Sequence, residues 1–67
     1  SQVNQASYAE VRQFVERERL YGLGCGLVDL TLLASTLITP GAVLWTLDRR
    51  LAELAARFHV ALAGTAQ

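Results

Sequence analysis

The sequence predicts an α/β fold in which helices flank a short parallel sheet, with a βαβ unit at the C-terminal end. Two features of the chain carry this prediction. The run from Leu27 to Ile38 is apolar almost all round and stops at Thr39-Pro40-Gly41, which describes a helix covered on several sides. Two short β-type runs, AVLWT at 42–46 and HVALA at 59–63, then bracket a third helical stripe. A strand, a helix and a strand in such quick order form a βαβ unit, which is almost always right-handed.

Residues 1–7, SQVNQAS, are polar and read as a loop or frayed end. Ser7 has Glu10 three positions on, which is the pattern of a capping box. Tyr8, Val11 and Val15 then recur at helical spacing beside Phe14, while Arg12, Glu16 and Arg19 fill the other side. An amphipathic helix from Tyr8 to about Arg19 is expected. The stretch YGLGCG ends it, because glycine costs about 1 kcal/mol per helical position and three fall at alternate sites. The second helix starts near Leu27 or Val28 and runs to Ile38, where proline blocks continuation. AVLWT shows no alternation and fits a strand covered on both faces, with Trp45 in the core. Asp48 opens the third helix, whose stripe is Leu51, Leu54, Ala55 and Phe58.

At 67 residues the chain is one domain at most. A domain near 60 residues buries only about 60% of its unfolded surface and is marginal without staples or partners. Cys25 is the single cysteine, so no disulfide within the chain can help, and a reducing cytoplasm is the expected setting. Hydrophobic residues make up 52% of the sequence, so it must pack on something else or leave a large apolar patch. The first residue is Ser1, which suggests a piece of a longer protein. Six arginines balance six acids, giving no long-range attraction for nucleic acid or anionic lipid. A small DNA-binding helical module would carry a basic recognition helix, and none is present. No signal-peptide pattern occurs, and the apolar run is shorter than the about 20 residues a membrane span needs.

Asp29 is the only charged side chain between Arg19 and Asp48. A buried carboxylate costs several kcal/mol unless it is paired or metal-bound. Arg49 or Arg50 folding back would supply a structural salt bridge; a bound cation would supply a functional answer. Asp48 follows AVLWT by two residues, and ligands in open α/β sheets bind beyond the carboxyl ends of strands. It is equally the residue type that N-caps a helix. Both aspartates therefore fall near helix N-termini, where the dipole favours negative charge, and both can face one crevice.

GLVDLTLLAS followed by GAVLWTLDRRL resembles the C-terminal half of a PIN domain of the VapC toxin ribonucleases. In that family a G-x-G-(apolar)-V-D-x-x-L-L-A segment precedes an L-W-T-x-D-x-x-L segment, and the likeness runs from about Tyr8 to Val60. The resemblance implies a parallel sheet flanked by helices and an acidic cluster that binds Mg²⁺ or Mn²⁺ and cuts single-stranded RNA. Asp29 and Asp48 match the two metal-site acids, and Thr46 matches the hydroxyl residue of the T-x-D pair. A hard divalent ion takes one or two carboxylates and keeps several waters, in agreement with that assignment. The resemblance also implies a cognate VapB-type antitoxin, often inserting an arginine near the acids, and a homodimer. A whole PIN domain adds an aspartate and a glutamate from its N-terminal half. Glu10, Glu16 and Glu18 do not match those positions, and Leu47 stands where relatives are often basic. Residues 1–67 are therefore expected to be the C-terminal part of a single PIN domain, with half of an active site and no nuclease activity alone. A second reading is a non-catalytic assembly fragment whose acids are structural.

Cys25 lies between glycines with no histidine near it in sequence, so a small packed thiol is the simpler reading. His59 reads as a surface or half-buried residue rather than a ligand. The glycines of YGLGCG lack the lysine of a phosphate-binding loop. Arg49 and Arg50 are placed to touch an RNA backbone or simply to face solvent. Arg12, Arg17 and Arg19, interleaved with acids, read as an exposed face.

Overall fold

A computed structural model of the chain describes residues 4–62. The SQV part of the expected N-terminal loop and Ala63 of the second expected strand lie outside the described residues. Three helices follow in order: α1 (Tyr8–Glu18), α2 (Leu27–Leu37) and α3 (Arg49–Arg57). Helix α2 touches both of the others.

The capping box forms as its spacing demands. Ser7 N–H donates to Glu10 Oε1 at 2.8 Å, and Glu10 N–H donates to Ser7 Oγ at 3.2 Å. Helix α1 ends at Arg19, which turns into the left-handed region at φ 57, and Leu20 N–H donates back to the Val15 carbonyl at 3.0 Å. The chain reverses through the glycine loop, where Gly22 and Gly24 take φ 69 and φ 86. These are values that side chains with a Cβ seldom adopt.

Helix α2 buries Leu30, Leu33 and Ala34, and Leu33 is wholly enclosed. It is not covered on several sides, however. Leu27, Val28 and Leu32 are exposed, Val28 to 73%. Among the described residues nothing covers that face. Buried hydroxyls in α2 are satisfied. Thr36 Oγ1 donates to the Leu32 carbonyl at 2.7 Å, and Ser35 Oγ accepts from Ala6 N–H at 2.9 Å. Asn4 adds two bonds to the end of the helix, its N–H to Thr39 Oγ1 and its side-chain amide to the Ile38 carbonyl. Residues 4–6 are thereby laced along the C-terminal half of α2.

The expected two-stranded sheet is reduced to one isolated parallel bridge, Leu44 to Ala61. Leu44 N–H donates to the Val60 carbonyl at 2.6 Å, and Leu62 N–H donates to the Leu44 carbonyl at 3.1 Å. There is no named strand among the described residues. Two short segments without further strands beside them have nothing to extend a ladder or to shield both faces. Accordingly Val43 and Trp45 are exposed, at 54% and 57%, while Leu44 between them turns inward. The expectation that AVLWT is covered on both faces, with Trp45 in the core, is thus corrected: one face is covered.

Helix α3 buries Leu51, Ala52, Leu54 and Ala55. Phe58, just past its end, meets Phe14 of α1 with ring centroids 5.3 Å apart and planes at 57°. Arg17 and Arg57 lie over these rings and both pair with the exposed-side acid Glu18, at 3.2 and 3.6 Å. His59 is exposed at φ 63 and does not open a strand.

Leu33→Ala is expected to cost about 2–5 kcal/mol, a large part of the stability of a chain this size. Loss of a cooperative thermal transition in far-ultraviolet circular dichroism is the predicted readout. Trp45→Ala, at a solvent-facing site, should change stability by about 0.5 kcal/mol or less. A larger loss for Trp45→Ala than for Leu33→Ala would contradict this assignment of the core.

Candidate functional site

The two aspartates reach the same region by different local routes. Asp29 lies in the first turn of α2, whose N-cap is Gly26 with no side-chain capping bond. The open amides and the dipole at that end favour a negative charge there. Asp29 is half-buried rather than enclosed, and among the described residues it makes no hydrogen bond and no ion pair. The cost anticipated for a fully buried acid therefore does not arise, and neither Arg49 nor Arg50 forms a salt bridge with it.

Asp48 is the N-cap of α3. Its Oδ1 accepts from Leu51 N–H at 3.0 Å, and its own N–H donates to Thr46 Oγ1 at 3.1 Å. The T-x-D pair thus forms a small hydrogen-bonded turn that sets the direction of the aspartate. Thr46 acts here on the backbone of Asp48, not on its carboxylate. The second carboxylate oxygen, Oδ2, accepts no hydrogen bond among the described residues and remains available to solvent or to a ligand.

Cys25 reports where these groups lie. Its thiol is pushed up from its ordinary range, first by partial burial, then by the negative charges of Asp29 and Asp48, while the Arg50 guanidinium pulls it down. Both carboxylates and one guanidinium therefore act on a single sulfur atom. Asp29, in α2, and Asp48, the N-cap of α3, thus both lie within electrostatic reach of the thiol that follows Gly24. Arg50 approaches the glycine loop: a methyl group placed on Gly24 would fall 2.7 Å from Arg50 Cδ and 2.8 Å from its Cζ. Cys25 itself is half-buried against the core, as its size suggests.

Asp29, Thr46 and Asp48 were all legible in the sequence as candidates. The seat of Arg50 on Gly24 and the reach of both acids to Cys25 were not, since the two segments are far apart along the chain. The donors on Asp29 and Asp48 are carboxylate oxygens, the kind a hard divalent cation takes. Among the described residues no three His, Cys, Asp or Glu side chains gather in a metal-holding group.

The sequence has relatives among characterised proteins. It is 47% identical over 57 residues to Ribonuclease VapC32 of Mycobacterium tuberculosis, in both strain CDC 1551 / Oshkosh and strain ATCC 25618 / H37Rv. The match covers 85% of this chain and 46% of the relative. This chain is homologous to VapC ribonucleases. It spans about half the length of the curated relatives it matches, consistent with a C-terminal portion of a VapC protein. No family model matches the chain, and no solved structure matches it significantly. No helix among the described residues is long and apolar enough to cross a membrane.

Asparagine is as good an N-cap as aspartate, whereas alanine forfeits about 1 kcal/mol. Asp48→Asn should keep the thermal midpoint of the parent, and Asp48→Ala should lower it. Asp29→Asn, which removes no side-chain bond but gives up a charge at the start of α2, should lower it only slightly, for a loss of about 0.3–1 kcal/mol. Either asparagine substitution should lower the pH at which Cys25 becomes a thiolate, so that alkylation at pH 8 runs faster than in the parent. Alkylation rates indifferent to both changes would mean that the acids do not both reach the thiol.

Proposed function

We propose that this chain is the C-terminal part of a VapC-type PIN-domain endoribonuclease and contributes Asp29 and Asp48 to a Mg²⁺ or Mn²⁺ site. The observation that supports the reading is the 47% identity to a VapC ribonuclease over 57 residues, together with the charges of Asp29 and Asp48 both reaching the Cys25 thiol. Asp29 offers a carboxylate with no competing partner, held at the start of α2. Asp48 offers Oδ2, with Oδ1 anchored to Leu51 N–H and the peptide anchored by Thr46. Capping therefore aims the acid instead of consuming it. A divalent cation, when bound, would lower the pKa of a coordinated water and neutralise charge developing on the scissile phosphate. Arg49 and Arg50, exposed at the start of α3, would meet the RNA backbone.

The uncovered face of α2 and the exposed Val43, Trp45 and Leu47 support a further part of the proposal. In the whole protein this surface packs on the N-terminal half of the same domain, which extends the single bridge at Leu44 into the parallel sheet of a PIN fold. That half also supplies the remaining acids of the site, so the present chain alone is inactive. A VapB-type antitoxin that occludes the site, a homodimeric state and a cytoplasmic setting belong to the same reading. The same apolar surface, which includes a groove of about 490 Å³ along Leu27, Val28 and Leu32, supports a second reading: an assembly fragment without catalysis.

The two readings part on activity. Joined to the N-terminal half of the Mycobacterium relative, the chain should cleave single-stranded RNA in Mg²⁺, whereas alone it should not. Asp29→Asn or Asp48→Asn in the joined protein should lower the rate by on the order of 100-fold or more, the scale of removing a group that supports transition-state charge. A folded joined protein that cuts RNA equally well with both substitutions would leave only the assembly reading.

A further inference from the structure

We infer that Gly24 is a positioning residue for RNA: it leaves the space through which the Arg50 side chain crosses the glycine loop, and so holds one guanidinium in place to meet a backbone phosphate. The inference rests on the RNA contact in the reading above and adds to it a residue that touches no substrate. A Cβ on residue 24 would fall 2.7 Å from Arg50 Cδ and 2.8 Å from its Cζ, and the three atoms nearest that point all belong to Arg50. Real Cβ atoms do not sit so close to a neighbour, so any side chain at residue 24 displaces Arg50. The φ of 86 at Gly24 is a separate reason for glycine there. Gly22 distinguishes the two reasons. It takes φ 69 in the same loop, yet a Cβ on it would meet nothing within 4 Å. One glycine serves the turn, and the other serves the turn and the arginine.

What Arg50 gains is a fixed direction. A long side chain that is already held loses less rotamer freedom when it binds a partner. Arg50 is exposed and is in neither of the ion pairs among the described residues, which both go to Glu18. It also makes no hydrogen bond among those residues, so its donors are open to an oxyanion, and a guanidinium matches two phosphate oxygens at once. Arg17 and Arg57, by contrast, are engaged with Glu18 and with the rings of Phe14 and Phe58. Arg49 is exposed as well, but it leaves α3 about 100° away from Arg50 around the helix axis. Because the chain has a net charge of zero, overall attraction cannot hold RNA, and the placing of single cations must do so.

Nuclear magnetic resonance of the 67-residue chain, titrated with single-stranded RNA in chelator so that no metal-dependent cleavage occurs, tests this. In the parent, nitrogen relaxation should show the Arg50 Nε–H more ordered than that of Arg49, a comparison that needs no variant. Arg50→Gln should reduce the slope of log affinity against log salt by about 0.7, the share of one phosphate contact on a single strand. Gly24→Ala, which keeps every charge, should weaken RNA binding about twofold to tenfold, the scale of ordering one long side chain on binding. It should add nothing further in an Arg50→Gln background. Gly22→Ala should leave RNA affinity at the parent value, and backbone amide spectra show which variants are folded. If Gly24→Ala does not fold, the parent relaxation and the Arg50→Gln slope decide. An Arg50 Nε–H as mobile as that of Arg49, an unchanged slope in Arg50→Gln, equal losses from the two alanine variants, or a Gly24→Ala loss that persists in the Arg50→Gln background would each overturn the role of Gly24, with RNA binding by the parent left standing. Parent chain that binds no RNA at any salt concentration would overturn the RNA contact itself and this role with it.

Discussion

One-sided burial of α2 is the constraint on which the rest of the molecule depends. Leu30, Leu33 and Ala34 form the seam where α1 and α3 meet the central helix, and Leu33 is fully enclosed there. The Phe14–Phe58 contact then ties the outer helices to each other around that seam. With no disulfide, hydrophobic packing and the bonds from residues 4–6 to Ser35, Thr39 and Ile38 carry the stability. The opposite face of α2 receives none of this. A chain this short cannot wrap both sides of an apolar helix, because surface grows relative to volume as size falls.

The two aspartates sit at helix starts: Asp29 rides on the N-terminal turn of α2 and Asp48 caps α3. Each is tolerated for a local reason, the dipole in one case and a capping bond in the other. Those reasons use up one of the four carboxylate oxygens, Oδ1 of Asp48. The glycine loop lets the Arg50 side chain pass where a Cβ on residue 24 would stand. A structural salt bridge between Arg50 and Asp29 would have used the same residues to a purely architectural end, and it does not form.

A lone acid in the greasiest segment turns out to be half-exposed, next to side chains that are themselves exposed on the open face of α2. Periodicity could not have foretold this. An all-round apolar helix signals that several sides are to be covered, but it does not say whether the covering atoms belong to the same stretch of chain. AVLWT carried the same ambiguity, since its lack of alternation describes a strand in a larger sheet, and here only Leu44 finds a partner, at Ala61. Trp45 was placed in the core by that logic and faces solvent.

Sequence by itself determined the features that depend on neighbours along the chain. These are the Ser7–Glu10 capping box, the three helices within a residue or two of their ends, the break at the glycine loop, and the identity of Asp29, Thr46 and Asp48 as candidates. Each follows from propensity, spacing or a hydrogen bond reaching three residues or fewer. Tertiary structure alone decided which face of α2 is covered, that the expected sheet is a single bridge among the described residues, and that the Arg50 side chain lies against Gly24. Those outcomes depend on segments well separated along the chain meeting in space, as Leu44 meets Ala61, and local pattern carries no record of that meeting.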